Sequence, residues 1–283
     1  MGIDFHGLHF LGYCAAERPF GKTVTIGRQS LTMPEYFLRY GKFCESLLKS
    51  NLGASVVDSY DASDYEGATH VADFNLPVSG EKYDTVIDCG TIEHVFDIAQ
   101  ALRNIAALCA PGGQIIHVSP ASNFCGHGFW QISPETFFSF YAERRGFTNT
   151  EVFLADLSNH SHWFKVKPPS NGQRVEVHSS RQLYIMCRTI KEHDSDSPVQ
   201  QSDYVVQWRQ EPATPRPWVA WLKQRPMLYR PAYRLRVYGQ FLKQKYRTGL
   251  NAHNPNLIKI KIPTERYLKQ LTVAASLDSE QVS

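Results

Sequence analysis

Short apolar runs alternate with stretches of helical period along the first two thirds of the chain. Thr85-Val86-Ile87 closes on Asp88-Cys89, Gln114-Ile115-Ile116-His117-Val118 follows Ala110-Pro111-Gly112-Gly113, and a helical stretch lies between them. The order strand, acidic turn, helix, Pro-Gly-Gly turn, strand is one βαβ unit, and a connection of that length joins parallel rather than hairpin strands. Upstream, residues 22–26, 54–60 and 69–72 read as three more strands, and residues 33–49 as one helix with Phe37, Tyr40, Leu47 and Leu48 at apolar positions. Downstream, Ser133-Pro134-Glu135 opens a helix over 135–145 that stops at Gly146, and residues 151–154, 174–178 and 183–188 read as late strands. Five strands with intervening helices and a strand-rich end predict an α/β fold: a doubly wound, mostly parallel sheet with an antiparallel edge and a C-terminal extension. Such sheets bind ligands beyond the carboxyl ends of their strands, so the corner at residues 89–94 and the loop after Val118 are expected on one rim.

Composition narrows this picture little, but charge divides it. A chain of 283 residues with 42% hydrophobic and 20% charged residues can bury a full core and leave a smaller second unit. The net charge of +3 conceals 14 Lys+Arg against 6 Asp+Glu over residues 195–283, so residues 1–194 are acidic. A polar stretch begins near Glu192, and the expected division is a globular unit over 1–192, a linker over 193–215 and a basic, aromatic-rich extension over 216–283. The six cysteines, at 14, 44, 89, 109, 125 and 187, form no CxxC pair, which fits free thiols better than a zinc ribbon or a disulfide framework. Without an 18-residue apolar run or a basic-then-apolar leader, the expectation is a cytoplasmic protein.

With these elements placed, residues 22–190 resemble class I S-adenosylmethionine-dependent methyltransferases. The resemblance rests on an acid closing the second strand (Asp61), an acid after the third (Asp73 in His70-Val71-Ala72-Asp73-Phe74-Asn75), the block from Tyr83-Asp84 to Glu93-His94-Val95, and Pro111-Gly112-Gly113 before the fifth strand. It implies a Rossmann-like fold and S-adenosylmethionine as cofactor. By position, Asp61 would accept hydrogen bonds from the ribose hydroxyls and Asp73 from the adenine amino group, while Cys89, Gly90 and Thr91 would line the methionine end. The first strand departs from the family, because Ile26-Gly27-Arg28-Gln29-Ser30-Leu31 keeps one glycine of the usual three. Gln29 and Leu31 must move that loop away or fill part of the pocket, while Arg28 is a candidate partner for the methionine carboxylate. The same loop lacks the glycine spacing of a nicotinamide site.

Methyl transfer from a sulfonium is an in-line displacement, and a hydroxyl acceptor must also lose its proton. His127, in Asn123-Phe124-Cys125-Gly126-His127-Gly128-Phe129-Trp130-Gln131, is the candidate base, with His94 or Glu93 as its supporter; Phe124, Phe129 and Trp130 are the candidate acceptor wall and Gln131 its polar pin. These residues point to O-methylation of a small-molecule or saccharide-like acceptor. The alternative is a non-catalytic scaffold on the same fold, suggested by the depleted glycine loop. Some relatives hold a divalent ion through Glu-x-x-Glu-His, but Gly90 replaces the first Glu here. Adjacent Glu93 and His94 on a helix would point ~100° apart, so no metal is expected. His160-Ser161-His162 lies in a polar loop without nearby acids and reads as incidental. No Gly-x-Ser-x-Gly elbow supports a hydrolase.

Residues 209–247 hold 10 Lys+Arg against one acid, interleaved with Trp218, Trp221, Tyr229, Tyr233, Tyr238, Phe241 and Tyr246. Three roles stay open: docking on the acidic unit, binding an anionic membrane surface at its inner face, or, fitting less well, binding nucleic acid. Pro215, Pro217, Pro226 and Pro231 are expected to prevent one long helix before about residue 233.

Overall fold

The computed structural model describes residues 2–170, 172–207 and 221–263. Its elements, in chain order, are β1 (Gly2–Ile3), α1 (Phe5–Glu17), β2 (Gly21–Ile26), β3 (Ser30–Leu31), α2 (Pro34–Tyr40), α3 (Glu45–Asn51), β4 (Ala54–Asp61), β5 (His70–Val71) and β6 (Tyr83–Cys89). A 3-10 turn (Ile92–His94) leads to α4 (Ile98–Leu108), β7 (Cys109–Ser122) and α5 (Pro134–Phe140). Then come β8 (Phe147–Asp156), β9 (His162–Val166), β10 (Leu183–Lys191), α6 (Ser202–Gln207), a helix we call α7 (Pro226–Arg247) and β11 (Leu257–Lys261).

One nine-stranded sheet runs in the order β11-β9-β8-β10-β7-β6-β2-β4-β5. From β5 to β7 neighbouring strands are parallel, and from β7 to β11 they are antiparallel. The chain leaves β2 towards β4 and β5, then returns to place β6 and β7 on the other side of β2. That reversal opens a crevice at the carboxyl ends of β2 and β6. Both faces of the sheet are covered, as parallel strands require. On one face Ile105 of α4 and Phe137 of α5 pack over Val86, Ile115 and Ile185. On the other, Phe10 and Leu11 of α1 and Leu47 of α3 pack over Ile87, Ile116 and Phe153.

The doubly wound α/β fold is as expected, with several local corrections. The helix expected over 33–49 is two helices, because Gly41 takes φ +88 and breaks the run. Residues 174–178 are not a strand; only a bridge from His178 to Gly249 forms there. The antiparallel part is a four-strand wing rather than a single edge. Helix α1 was not foreseen; its Asp4 side chain caps it by accepting from the Gly7 amide at 2.9 Å. The extension expected over 216–283 does not stand apart, since β11 pairs with β9 and buries Leu257. Helix α7 continues through Pro231, contrary to the expected break; the carbonyl lost to it lies on an exposed helix and can turn to water. Trp218 lies outside the described residues.

Candidate active site

The site is built on the corner after β6. Asp88, fully buried, accepts from the amides of Thr91 at 3.0 Å and Ile92 at 3.3 Å through one oxygen. Its other oxygen accepts from His117 Nδ1 at 2.8 Å, and His117 Nε2 meets the Tyr141 hydroxyl at 2.7 Å. Asp88 and His117 are register partners on β6 and β7, so the sheet itself delivers the pair. The carboxylate therefore fixes both the 3-10 turn and the His117 ring, although neither residue was assigned a role from the sequence. The available signal was polar: Asp88 and His117 interrupt otherwise apolar buried strands.

The turn presents Glu93 and His94, and the loop after β7 folds back over it. The Glu93 carbonyl accepts from the amides of Phe129 at 2.8 Å and Trp130 at 3.2 Å, and Gly128 lies so close that a Cβ would sit 2.8 Å from that carbonyl. The loop thereby brings His127 Nε2 within 3.6 Å of Glu93 Oε1, while His94 Nε2 lies 3.9 Å from the same oxygen. Both Glu93 carboxyl oxygens and His127 Nε2 are buried and have no hydrogen-bond partner among the described residues. Burial, assisted by the charge of Asp88, pushes the Glu93 carboxyl up to about 8. Burial also lowers the His94 imidazole, as does the neighbouring His127 ring. At neutral pH Glu93 thus holds its proton and His94 is uncharged.

The expected acceptor wall divides in two. Phe124 is buried and stacks on Tyr184 with centroids 5.6 Å apart, forming the inner side. Phe129 and Trp130 are 64% and 38% exposed, and Phe96 meets the Phe129 ring edge-on at 5.6 Å, so these rings form the rim. Trp130 is pinned by its indole N–H to the Val95 carbonyl at 3.0 Å. Gln131 is a brace rather than a pin: its side-chain oxygen accepts from the Phe124 amide at 2.9 Å.

Most of the candidate cofactor residues lie at the carboxyl ends of β2, β4 and β6. Gly27 takes φ +74, and its missing side chain is required, since a Cβ would lie 2.5 Å from Thr91 Oγ1. Thr91 Oγ1 donates to the Ile26 carbonyl at 2.7 Å, joining the corners after β2 and β6, and Gly90 turns the second corner with φ +83. Asp61 closes β4; its oxygens accept from the Arg28 amide at 3.3 Å and the Ala62 amide at 2.7 Å, leaving a lone pair on each. Asp73 holds Asn75 through one oxygen, and these hydrogen bonds depress its carboxyl below the usual range. Cys89 is buried, and burial pushes its thiol well up, so it is a wall and not a nucleophile.

Two first-strand expectations are resolved by geometry. Leu31 turns into the core beside Ile3 and Leu47, away from the crevice. Arg28 does not reach into it: its guanidinium pairs with Glu45 at 2.7 Å, donates to the Glu66 and Gly67 carbonyls and lies over Phe43. The expected role for Arg28 at a cofactor carboxylate is therefore replaced by a structural one. Gln29 stays in the crevice, 2% exposed, donating to the Ile26 carbonyl at 2.7 Å. Its Oε1 is buried without a partner among the described residues.

A family model described as a methyltransferase domain matches residues 39–187. The chain belongs to this methyltransferase family, and it is an enzyme with S-adenosylmethionine as its cofactor. Among solved structures it is similar to the N-methyltransferase NodS from Bradyrhizobium japonicum WM9 (15% identity, TM-score 0.42, covering 66% of this chain and 96% of that one). It is also similar to a methyltransferase of Thermotoga maritima (18% identity, TM-score 0.40, 67% and 90% covered) and to TehB from Haemophilus influenzae (15%, 0.41, 64% and 61%). No curated protein matches at a significant level.

The residues present fit the cofactor. Asp61 and Asp73 supply carboxylate acceptors at the ends of β4 and β5, suited to ribose hydroxyls and an adenine amine. The orphaned Gln29 Oε1 beside Gly27 is a buried acceptor of the kind an amino-acid ammonium satisfies.

Proposed function

We propose that this methyltransferase acts on a hydroxyl of a small-molecule or saccharide-like acceptor. The cofactor supplies the methyl group as a sulfonium. Glu93, His94 and His127 activate the hydroxyl, and Phe129, Trp130 and Phe96 hold the acceptor's apolar face at the rim. The observation that carries this reading is His127 Nε2, without a hydrogen-bond partner among the described residues, 3.6 Å from a buried carboxyl that equally has none among them. A hydroxyl in that gap would satisfy both groups while giving its proton to the imidazole. The experiment is transfer of labelled methyl from S-adenosylmethionine to a panel of sugar and phenol hydroxyls. His127→Ala should lower turnover by about 10²–10⁴-fold, the usual contribution of a general base, with S-adenosylhomocysteine affinity unchanged. Equal turnover would refute it.

The acceptor, on this reading, is met at an anionic membrane surface. Helix α7 exposes Leu228, Leu235 and Leu242, each seven residues from the next and therefore on one face, flanked by Arg230, Arg234 and Arg236 with no acid in the helix. A basic helix with exposed leucines suits lipid better than nucleic acid, which has no use for the leucines. No helix of the described residues is long and apolar enough to cross a membrane. Sedimentation with phosphatidylglycerol vesicles tests the idea. Leu235→Glu should abolish binding at low salt, and unchanged binding by the variant, or none by the parent, removes it.

A further inference from the structure

We propose that Glu93, His94 and His127 form a binding site for a divalent transition-metal cation. The expectation of no metal rested on Glu93 and His94 alone, which cannot chelate well as neighbours. The fold adds a third donor, because Gly128 packs against Glu93 and carries His127 over the turn. One carboxylate oxygen and one ring nitrogen from each histidine now lie within 4.8 Å of one another. Ligands about 2.0–2.2 Å from a common ion stand roughly 3–4 Å apart, so the observed 3.6 and 3.9 Å from Glu93 Oε1 need only small side-chain rotations to close on an ion.

The arrangement also lacks the partners that a purely structural cluster would have. Glu93 is completely buried, yet neither carboxyl oxygen is hydrogen-bonded among the described residues, and His127 Nε2 is buried and equally unpartnered. Buried polar atoms in folded proteins nearly always find a partner, and one cation would satisfy a Glu93 carboxylate oxygen and His127 Nε2 together. The supports are in place: two amides hold the Glu93 carbonyl, and Asp88 holds the turn through Thr91 and Ile92. Two imidazoles and one carboxylate suit manganese, iron, cobalt or zinc rather than calcium or magnesium, and three ligands leave positions open.

The inference goes beyond O-methylation, because cation binding needs no acceptor. If both hold, an acceptor hydroxyl can complete the coordination and lose its proton to solvent, with His127 acting as ligand instead of free base. The test uses the full chain, stripped with EDTA and dialysed, titrated with Mn²⁺ by electron paramagnetic resonance and with Zn²⁺ by calorimetry, with Mg²⁺ as comparison. One equivalent of Mn²⁺ or Zn²⁺ should bind and raise the melting temperature. Glu93→Gln and His127→Ala should weaken binding by about tenfold or more, while His162→Ala, outside the cluster, should not. Should the buried Glu93→Gln variant fail to fold, His94→Ala, whose side chain is 46% exposed, reads the same loss. No saturable binding by the parent up to millimolar metal, or equal binding by all variants, would overturn the proposal. Methyl transfer to hydroxyls that persists without metal would leave the O-methylation reading intact, so the two fail separately.

Discussion

Replacing Asp88 by Ala should be among the most damaging single changes in the protein. Three buried donors lose their acceptor together: the Thr91 amide, the Ile92 amide and His117 Nδ1. A hydrogen bond to a charged group contributes about 1.5–3 kcal/mol, but the three share one carboxylate and a water can enter the space it leaves, so they do not add. Removing one partner of a buried charged pair typically costs about 3–5 kcal/mol, which we take as the expected loss. That is a large part of the ~5–15 kcal/mol by which domains are stable. Urea denaturation followed by near-ultraviolet dichroism measures it. Asp88→Asn keeps a carbonyl oxygen for the two amides and disturbs chiefly the His117 contact, so its cost should be smaller, about 1–2 kcal/mol. Because the turn also carries Glu93, the Ala variant should lose methyl transfer even where it remains folded. A loss below about 1 kcal/mol for Asp88→Ala, or equal losses for both variants, would refute the assignment of the turn to this carboxylate.

Four further outcomes follow from the same geometry. Gly128→Ala places a Cβ against the Glu93 carbonyl at φ +70 and should cost about 1–3 kcal/mol in thermal unfolding, whereas Gly126→Ala, with nothing within 4 Å, should be nearly neutral. Asn104→Ala removes the side chain that accepts from the Val78 amide and donates to the Phe74 and Leu76 carbonyls; a loss of about 2–3 kcal/mol is expected by urea titration. Asp61→Ala should weaken S-adenosylhomocysteine binding by about tenfold in calorimetry, the loss of one good hydrogen-bonded contact. For Glu93, a carboxyl raised to about 8 from an ordinary 4.5 binds its proton more tightly when folded. Its burial penalty is therefore absent below the lower value, grows between the two and is complete above the higher one, on the order of 5 kcal/mol. Glu93→Gln cannot ionise, so with chelator present its stability relative to the parent should rise across that interval; parallel curves would contradict it.

Much of the parallel half was legible because its strands are apolar runs and its corners carry residues with few alternatives. Asp84 to Asp88 and Gln114 to Val118 could be recognised as buried neighbours. The helix expected over 135–145 instead ends at Phe140, and Gly146, with its left-handed φ of +81, closes a separate 3-10 turn over Glu143–Arg145. The same local reasoning failed where a distant partner decided the outcome. His178 pairs with Gly249 instead of extending a strand, and Pro231 is accepted inside an exposed helix. In the site, residue types were readable but directions were not. Arg28 stands in the expected loop yet turns to Glu45, because a carboxylate seventeen residues away and two carbonyls from the β4–β5 connection offer it a better set of acceptors.

The order of apolar runs and glycines was by itself enough to define a doubly wound sheet and the rim at the carboxyl ends of its strands. These depend on periodicity and backbone freedom, which are local. Tertiary structure decided which pieces meet. Asp88 reaches His117 only because β6 and β7 are in register, and His127 reaches Glu93 only because Gly128 lets the loop close on the turn. Distances of a few ångströms between residues some thirty positions apart follow from strand register and loop packing, and no spacing along the chain encodes them.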